Sequence, residues 1–300
     1  MDCINRRYQV IDHAHDGSPG LCYLVEDLLQ EGKRAVLRIL SPETIQPGVV
    51  NYLRRELPAL KNLTHPGIVH IYDFGLVQNI DGHRVLSRQY YLTHEYVPPS
   101  KSVLQAGADW THRDIADAAV ELCHVLGYLH AMGYVYGRLD DSSVAVVDGR
   151  TGSTIKLTRP MLPGDIESAI LKPQKVNMQF VSPDSLRQDR PDPAADLYSL
   201  GVLLLFLIAR EDPSTANMSS LLEDCRRSGR LGPFSQVIDL LLAPIGERCR
   251  DTRQVIARIN KAMGTDYPRF DRAARDKVVS STKLIGRDTE LEQLDKWKNQ

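Results

Sequence analysis

The first hundred residues alternate short apolar runs with turn-forming residues, a pattern that predicts β-strands. Apolar runs at 8–11 and 21–25 flank the turn sequence Asp-Gly-Ser-Pro-Gly at 16–20, which predicts a hairpin. Residues 51–63 carry leucines at every third or fourth position and predict one helix with a proline inside it. Three further strands are predicted at 34–40, 68–74 and 90–97.

After Pro-Pro-Ser at 98–100, a candidate hinge, the pattern becomes helical. The apolar residues of 115–129 fall on one helix face, whereas 197–209 is apolar nearly all round and predicts a helix buried inside its lobe. Two later helices are predicted at 237–242 and 255–259. A strand-rich part followed by a larger helical part predicts an α+β fold.

Composition narrows the class of protein without changing this picture. A chain of 300 residues, 42% hydrophobic and 25% charged, is typical of a globular protein with two lobes or two domains. The net charge of −1 gives no reason to expect nucleic acid or an anionic membrane as a partner, and the longest apolar run, 200–209, is too short to span a membrane. The five dispersed cysteines, with no signal-peptide core at the N-terminus, predict core thiols in a reducing cytoplasm.

Five motifs follow one another along the chain. They read His-Asp-Gly-Ser-Pro-Gly-Leu-Cys at 15–22, Ala-Val-Leu-Arg at 35–38, Tyr-Gly-Arg-Leu-Asp-Asp-Ser-Ser at 136–143, Lys-Leu-Thr-Arg-Pro-Met at 156–161 and Asp-Pro-Ala-Ala-Asp-Leu-Tyr-Ser-Leu-Gly at 192–201. In this order they resemble the motifs of the protein kinase superfamily, in particular those of bacterial Ser/Thr kinases.

The resemblance covers roughly residues 8–262. It implies a bilobal protein-kinase-like fold, with a small β-rich N-lobe at 8–97 and a larger α-helical C-lobe at 98–262. It also implies an ATP site in which Gly17, Gly20 and Cys22 belong to the glycine-rich loop. Glycines there let backbone amides approach phosphates closely, although an ordinary hairpin turn explains these residues about as well.

Other nucleotide-binding residues are altered or carry an alternative interpretation. Arg38 replaces the lysine that holds the α- and β-phosphates, and it is expected to pair with Glu56; two separate solvated charges are the alternative. His94 would be the gatekeeper, and backbone groups of Glu95 and Val97 would bind adenine. A plain strand between the lobes is the alternative for this segment.

The residues of phosphoryl transfer are replaced. Arg138 stands where the family has its catalytic aspartate, and arginine does not act as a base near neutral pH. Ser143 replaces the metal-binding asparagine, and Arg159 puts a cation where an aspartate would bind Mg²⁺. ATP is therefore a candidate ligand, Mg²⁺ is not expected, and no metal site is predicted.

A shifted alignment would make Asp140 or Asp141 the base. Leu139 on one side and Lys156 on the other fix the register against this alternative. We expect instead a local salt bridge of Arg138 with Asp140 or Asp141.

The residues that hold the family's C-lobe together are retained. Asp184 and Arg248 stand at positions expected to form a buried ion pair. Asp196 is expected to cap the buried helix and to bind the catalytic-loop backbone. Retention of the scaffold and loss of the chemistry favour a pseudokinase, a signalling or regulatory interaction module. The alternative is an active or residually active Ser/Thr kinase that transfers the ATP γ-phosphate to protein hydroxyls.

The C-terminal part is expected to be a linker at 263–283 followed by the start of a second domain at 284–300. Residues 283–294 read Lys-Leu-Ile-Gly-Arg-Asp-Thr-Glu-Leu-Glu-Gln-Leu and resemble the opening of AAA-like signalling P-loop NTPases. No phosphate-binding loop occurs before residue 300, and a single amphipathic capped helix is the alternative. Protein partners are expected, among them such an NTPase domain in a longer polypeptide.

Overall fold

A computed structural model describes most of the chain. It covers residues 2–13, 22–40, 45–86, 88–98, 100–137, 139–149, 152–162, 177–185 and 192–269. The predictions about Gly17, Gly20, Arg138 and residues 270–300 lie outside the described residues.

The N-terminal part forms a single antiparallel sheet, as the strand pattern predicted. Its strands are β1 (Cys3–Ile4), β2 (Tyr8–His13), β3 (Cys22–Asp27), β4 (Lys33–Leu40), β5 (Ile71–Leu76), β6 (Asn79–Ile80), β7 (His83–Arg84) and β8 (Tyr90–Glu95). Neighbouring strands follow the order β5-β8-β4-β3-β2-β1-β6-β7. The helix α1 (Pro47–Asn62) packs beside β5, and Pro58 lies inside it.

The two-residue strands β1, β6 and β7 were not predicted, because they are too short to show a periodicity. Asn5 connects β1 to the segment that leads into β6: its Oδ1 accepts hydrogen bonds from the N–H groups of Gln78 (2.7 Å) and Asn79 (3.2 Å), and its Nδ2 donates to the carbonyl of Leu76 (2.9 Å). The sheet therefore begins before residue 8, the predicted start of the N-lobe.

The C-terminal part is helical, with a small second sheet. Its elements are β9 (Lys101–Ser102), α2 (Val103–Ala106), α3 (His112–Ala131), β10 (Val144–Gly149), β11 (Gly152–Leu157), α4 (Pro193–Ala209), α5 (Met218–Arg227), α6 (Ser235–Leu242) and α7 (Thr252–Met263). A strand-rich part followed by a helical one confirms the α+β fold with a kinase-like bilobal layout. Helix α4 is buried along almost its whole length, and at Gly201 an added Cβ would lie only 2.7 Å from Leu241 Cβ of α6.

Two hydrophobic clusters form the core of the described residues. Inside the sheet a small cluster gathers residues that alternate along β4, namely Ala35, Leu37 and Ile39. Leu40, on the opposite face of β4, belongs to a larger core that continues through α1 into the helical lobe. Because side chains alternate along a strand, Arg38 lies on the same face of β4 as Leu40, the face that adjoins the larger core.

The chain does not become a linker directly after α7. Gly264 ends the helix in the left-handed region (φ 64°). Asn260 then accepts a hydrogen bond from the N–H of Tyr267 (2.8 Å) and donates to its carbonyl (2.9 Å). His124 Nε2 lies 2.8 Å from the carbonyl of Pro268. The described part of the predicted linker is therefore held against α3.

Glu121 of α3 sets a pH dependence of stability. Its Oε1 accepts the N–H of Ile155 (2.9 Å), and burial raises the pKa of this carboxyl from 4.5 to about 7 despite that bond. The folded state thus favours the protonated form, and the stability from this group, fully present below pH 4.5, is lost as the pH rises through 7.

Glu121→Gln is expected to stabilise the protein at pH 8 by about 1–2 kcal/mol, allowing for partial solvent exposure, and to have little effect near pH 5. Urea unfolding at both pH values measures this. Glu223→Gln, at an exposed glutamate of α5, is the matched control and should leave both values unchanged. An equal effect of Glu121→Gln at pH 5 and pH 8 would contradict the assignment.

Candidate nucleotide and phosphotransfer site

Two neighbouring loops carry the residues that the resemblance aligns with catalytic positions. Residues 139–143 lead into β10, and residues 158–162 leave β11, its antiparallel partner. The N–H of Thr158 donates to the carbonyl of Ser143 (2.9 Å), which ties the loops together. The hairpin therefore brings the two motifs side by side, as their resemblance implied.

Arg159 faces the other loop. Its Nη2 donates to Ser142 Oγ (2.7 Å) and lies 3.5 Å from Asp140 Oδ2, and both charged side chains are largely buried. Ser142 Oγ donates in turn to Asp140 Oδ1 (2.7 Å). The charge of the Arg159 guanidinium, which stands at the position that the resemblance gives to a metal-binding aspartate, is thus neutralised by the Asp140 carboxylate. The salt bridge expected for Arg138 lies outside the described residues, and Asp140 pairs with Arg159.

The side chains of Ser143 and Asp140 form hydrogen bonds with the backbone of their own loop. Ser143 is fully buried, its Oγ donates to the carbonyl of Asp140 (2.9 Å), and it accepts the N–H of Asp140 (2.8 Å). Asp140 Oδ1 accepts the N–H groups of Ser142 (3.0 Å) and Ser143 (2.8 Å). Such bonds between a short polar side chain and nearby backbone stabilise turns. A hydroxyl held in this way and a neighbouring guanidinium do not fit Mg²⁺.

Asp141 points to a different part of the lobe. It is one of the residues around a pocket of ≈ 280 Å³ that Asp212 and Phe206 also line. Burial, and next the charge of Asp140, raise the pKa of Asp141. The alternative base of the shifted alignment thus lies beside the C-lobe pocket.

The expected nucleotide-facing residues of the sheet share one face. Cys22 is paired with Arg38 across β3 and β4, and Arg38 with Leu92 across β4 and β8. Val36 is likewise paired with His94. Paired residues point to the same side of a sheet, so this register suits a nucleotide that packs against Cys22 and Arg38. Arg38 is almost completely buried, at 2% exposure.

The predicted ion pair between Arg38 and Glu56 is not formed among the described residues. Glu56 Oε1 instead accepts from Nε of Arg55, its neighbour on α1, at 2.6 Å. The Glu56 side chain is 30% exposed, so it keeps part of its hydration. Moving it against Arg38 would desolvate the carboxylate, a cost that the surface pair avoids.

Asp196 organises the start of the catalytic loop. It is fully buried, and its carboxylate accepts the N–H groups of Tyr136 (2.8 Å) and Gly137 (2.7 Å). His130 Nε2 lies 2.8 Å from the same carboxylate, a contact that the sequence analysis missed. The predicted capping role was wrong: Asp192 caps α4, accepting the N–H of Ala194 at 2.9 Å.

Arg248 and Asp184 lie together, as their positions in the motifs implied. Nη2 of Arg248 donates to Asp184 Oδ2 (2.9 Å), and Nη1 donates to Ser182 Oγ (3.0 Å). Nε donates to the carbonyl of Ala243 (2.9 Å), and the guanidinium lies 5.0 Å from the ring centre of Tyr198. The arginine side chain is 2% exposed and the aspartate 26%.

An ion pair that was not predicted joins the end of β8 to β11. Lys156 Nζ donates to Glu95 Oε1 (2.8 Å) and to the carbonyl of Pro66 (2.9 Å). In the sequence, Lys156 indicated only the register of its motif. Glu95 is thus held by its side chain, while Val97 two residues further on is half-buried.

Among the described residues, no group of three or more His, Cys, Asp or Glu side chains could hold a metal ion. None of the described helices is both long and apolar enough to cross a membrane.

The chain is similar in sequence to known protein kinases. A family model for the protein kinase domain matches residues 8–236. The probable serine/threonine-protein kinase PknB of Bifidobacterium longum is 25% identical over 193 residues, 62% of this chain and 28% of that protein. Serine/threonine-protein kinases PknB and PknA of Mycobacterium tuberculosis are 22% and 27% identical, over 71% and 57% of this chain and 34% and 40% of theirs. The chain therefore spans less than half the length of these relatives.

Proposed function

Because this chain belongs to the protein kinase domain family, we propose that it is a catalytically impaired member, a pseudokinase that acts as a signalling or regulatory interaction module. One observation carries the proposal. The guanidinium of Arg159 takes the place of the metal-binding carboxylate and contacts Asp140 and Ser142 of the catalytic loop. Magnesium would have to displace a cation that is already paired, and both cations would compete for the same carboxylate.

The retained scaffold supports an interaction role. The buried contacts of Asp196 and of Arg248 hold parts of the helical lobe together. Neither contact requires the protein to transfer a phosphoryl group. Protein partners would bind the folded domain. The partner that we propose is an NTPase domain that follows in the same polypeptide. Free cysteines buried in the core, such as Cys123 and Cys225, suit the cytoplasm that we propose as its location.

ATP remains the proposed ligand of the cleft, bound without Mg²⁺. Cys22 and Arg38 would face it from the sheet, and the arginine would supply positive charge to its phosphates. Bound ATP would therefore be a structural ligand, and this chain's residues would hold it without moving its γ-phosphate.

The test is a phosphotransfer assay with purified protein, labelled ATP and either Mg²⁺ or Mn²⁺. We expect incorporation at least about 10²-fold, and up to about 10⁴-fold, below that of an active kinase of the same family, because Arg138 stands at the sequence position of the catalytic base. Asp140→Asn and Asp141→Asn are the matched variants, one at each alternative base. Metal-dependent incorporation by the unaltered protein that either variant abolishes would establish the active-kinase alternative and overturn the proposal.

A further inference from the structure

The carbonyl of Glu95 is engaged by the neighbouring side chain. His94 Nδ1 lies 3.0 Å from this oxygen. A carbonyl only accepts hydrogen bonds, so Nδ1 must carry the proton and donate it. The contact therefore fixes the tautomer of a half-buried imidazole at the end of β8.

The remaining polar groups of Glu95 are held as well. Its N–H donates to the carbonyl of His70 (2.8 Å), and its Oε2 accepts the N–H of His70 (3.2 Å). Its Oε1 accepts from Lys156 Nζ (2.8 Å). The N–H and the carboxylate of Glu95 are therefore both fixed in place, and its carbonyl is the group that accepts from His94.

We propose that His94 is a specificity-determining residue that takes the place of the nucleobase amino group at the Glu95 carbonyl. This inference rests on the proposed binding of ATP in the cleft. The 6-amino group of adenine is a hydrogen-bond donor, which is the chemistry that His94 Nδ1–H already supplies to this oxygen. The cleft should consequently gain little from that amino group and bind purine nucleotides with weak base selectivity.

Two variants separate the hydrogen bond from the size of the side chain. His94→Leu removes the donor, whereas His94→Asn keeps an N–H donor close to the position of Nδ1. Calorimetric titration in EDTA compares ATP with purine riboside triphosphate, which lacks only the 6-amino group. We expect the unaltered protein and His94→Asn to bind the two nucleotides within about 2-fold of each other.

His94→Leu is expected to prefer ATP by about 3–10-fold, the range of one net hydrogen bond. Circular dichroism verifies that each variant is folded, and His94→Met replaces His94→Leu if that variant does not fold.

Three results would overturn this inference. The first is a strong preference of the unaltered protein for ATP, and the second is an equal change of the ATP preference in His94→Leu and His94→Asn. The third is no binding of either nucleotide to any of the proteins. None of them bears on catalysis, so the non-catalytic proposal would stand. Metal-dependent phosphotransfer would overturn that proposal while leaving the affinity ratio to be judged on its own.

Discussion

Asp196→Ala is expected to destabilise the protein by about 3–5 kcal/mol, the usual cost of removing one partner from a buried charged network. The carboxylate accepts three donors: the N–H groups of Tyr136 and Gly137, and His130 Nε2. Without it the N–H of Tyr136 loses its acceptor in a buried position, and the less buried donors of Gly137 and His130 lose theirs as well. Urea unfolding followed by circular dichroism gives the free energy directly.

Asp192 provides a matched control four residues earlier. It caps α4 through one hydrogen bond to Ala194, so Asp192→Ala should cost only about 1 kcal/mol. Asp196→Asn keeps one acceptor oxygen and should fall between the two alanine variants, and it also serves if Asp196→Ala does not fold. Equal costs for the two alanine variants would show that the buried carboxylate does not hold the catalytic loop.

Arg248→Ala is expected to cost about 3–5 kcal/mol, more than Asp184→Ala, although the two residues form one ion pair. The reason is the asymmetry of their surroundings. Arg248 is 2% exposed and also donates to Ser182 Oγ and the Ala243 carbonyl, whereas Asp184 is 26% exposed. Loss of the arginine therefore leaves several buried acceptors, while loss of the aspartate leaves an arginine with neutral acceptors.

A double-mutant cycle measures the pair itself. The variants Arg248→Ala, Asp184→Ala and their combination should give a coupling energy of roughly 1–3 kcal/mol. Arg248→Lys keeps the charge but not the planar fork and should recover only part of the loss. An Asp184→Ala variant at least as unstable as Arg248→Ala would contradict the asymmetry.

The positions of the larger elements could be predicted from local pattern. The strands at 34–40 and 90–97 and the buried helix at 197–209 match β4, β8 and α4 to within four residues at each end. Each of these elements is marked in the sequence by a run of mostly apolar residues, which is a local signal. The short strands β1, β6 and β7 lacked such a signal; Asn5 beside β1 bonds to the segment that leads into β6, and β7 pairs with β6.

The candidate site was predicted unevenly. The order of motifs alone predicted the pairing of Asp184 with Arg248, and Asp184 Oδ2 lies 2.9 Å from Arg248 Nη2. Glu56 was placed with Arg38 by the same reasoning, yet it pairs with Arg55. Motif order specifies which residues stand near the cleft. It does not specify how a helix such as α1 is rotated, and that rotation decides which arginine a carboxylate meets.

Sequence by itself determined the α+β class, the family and which motif positions carry a replacement, as at Arg159, because these depend on local periodicity and residue identity. The tertiary structure alone decided what the replaced residues contact. Arg159 meets Asp140, and Lys156 meets Glu95, across elements distant in the chain. Such contacts depend on how β10, β11 and β8 are brought together, and the free energy of burying each charge selects among partners that the sequence leaves equivalent.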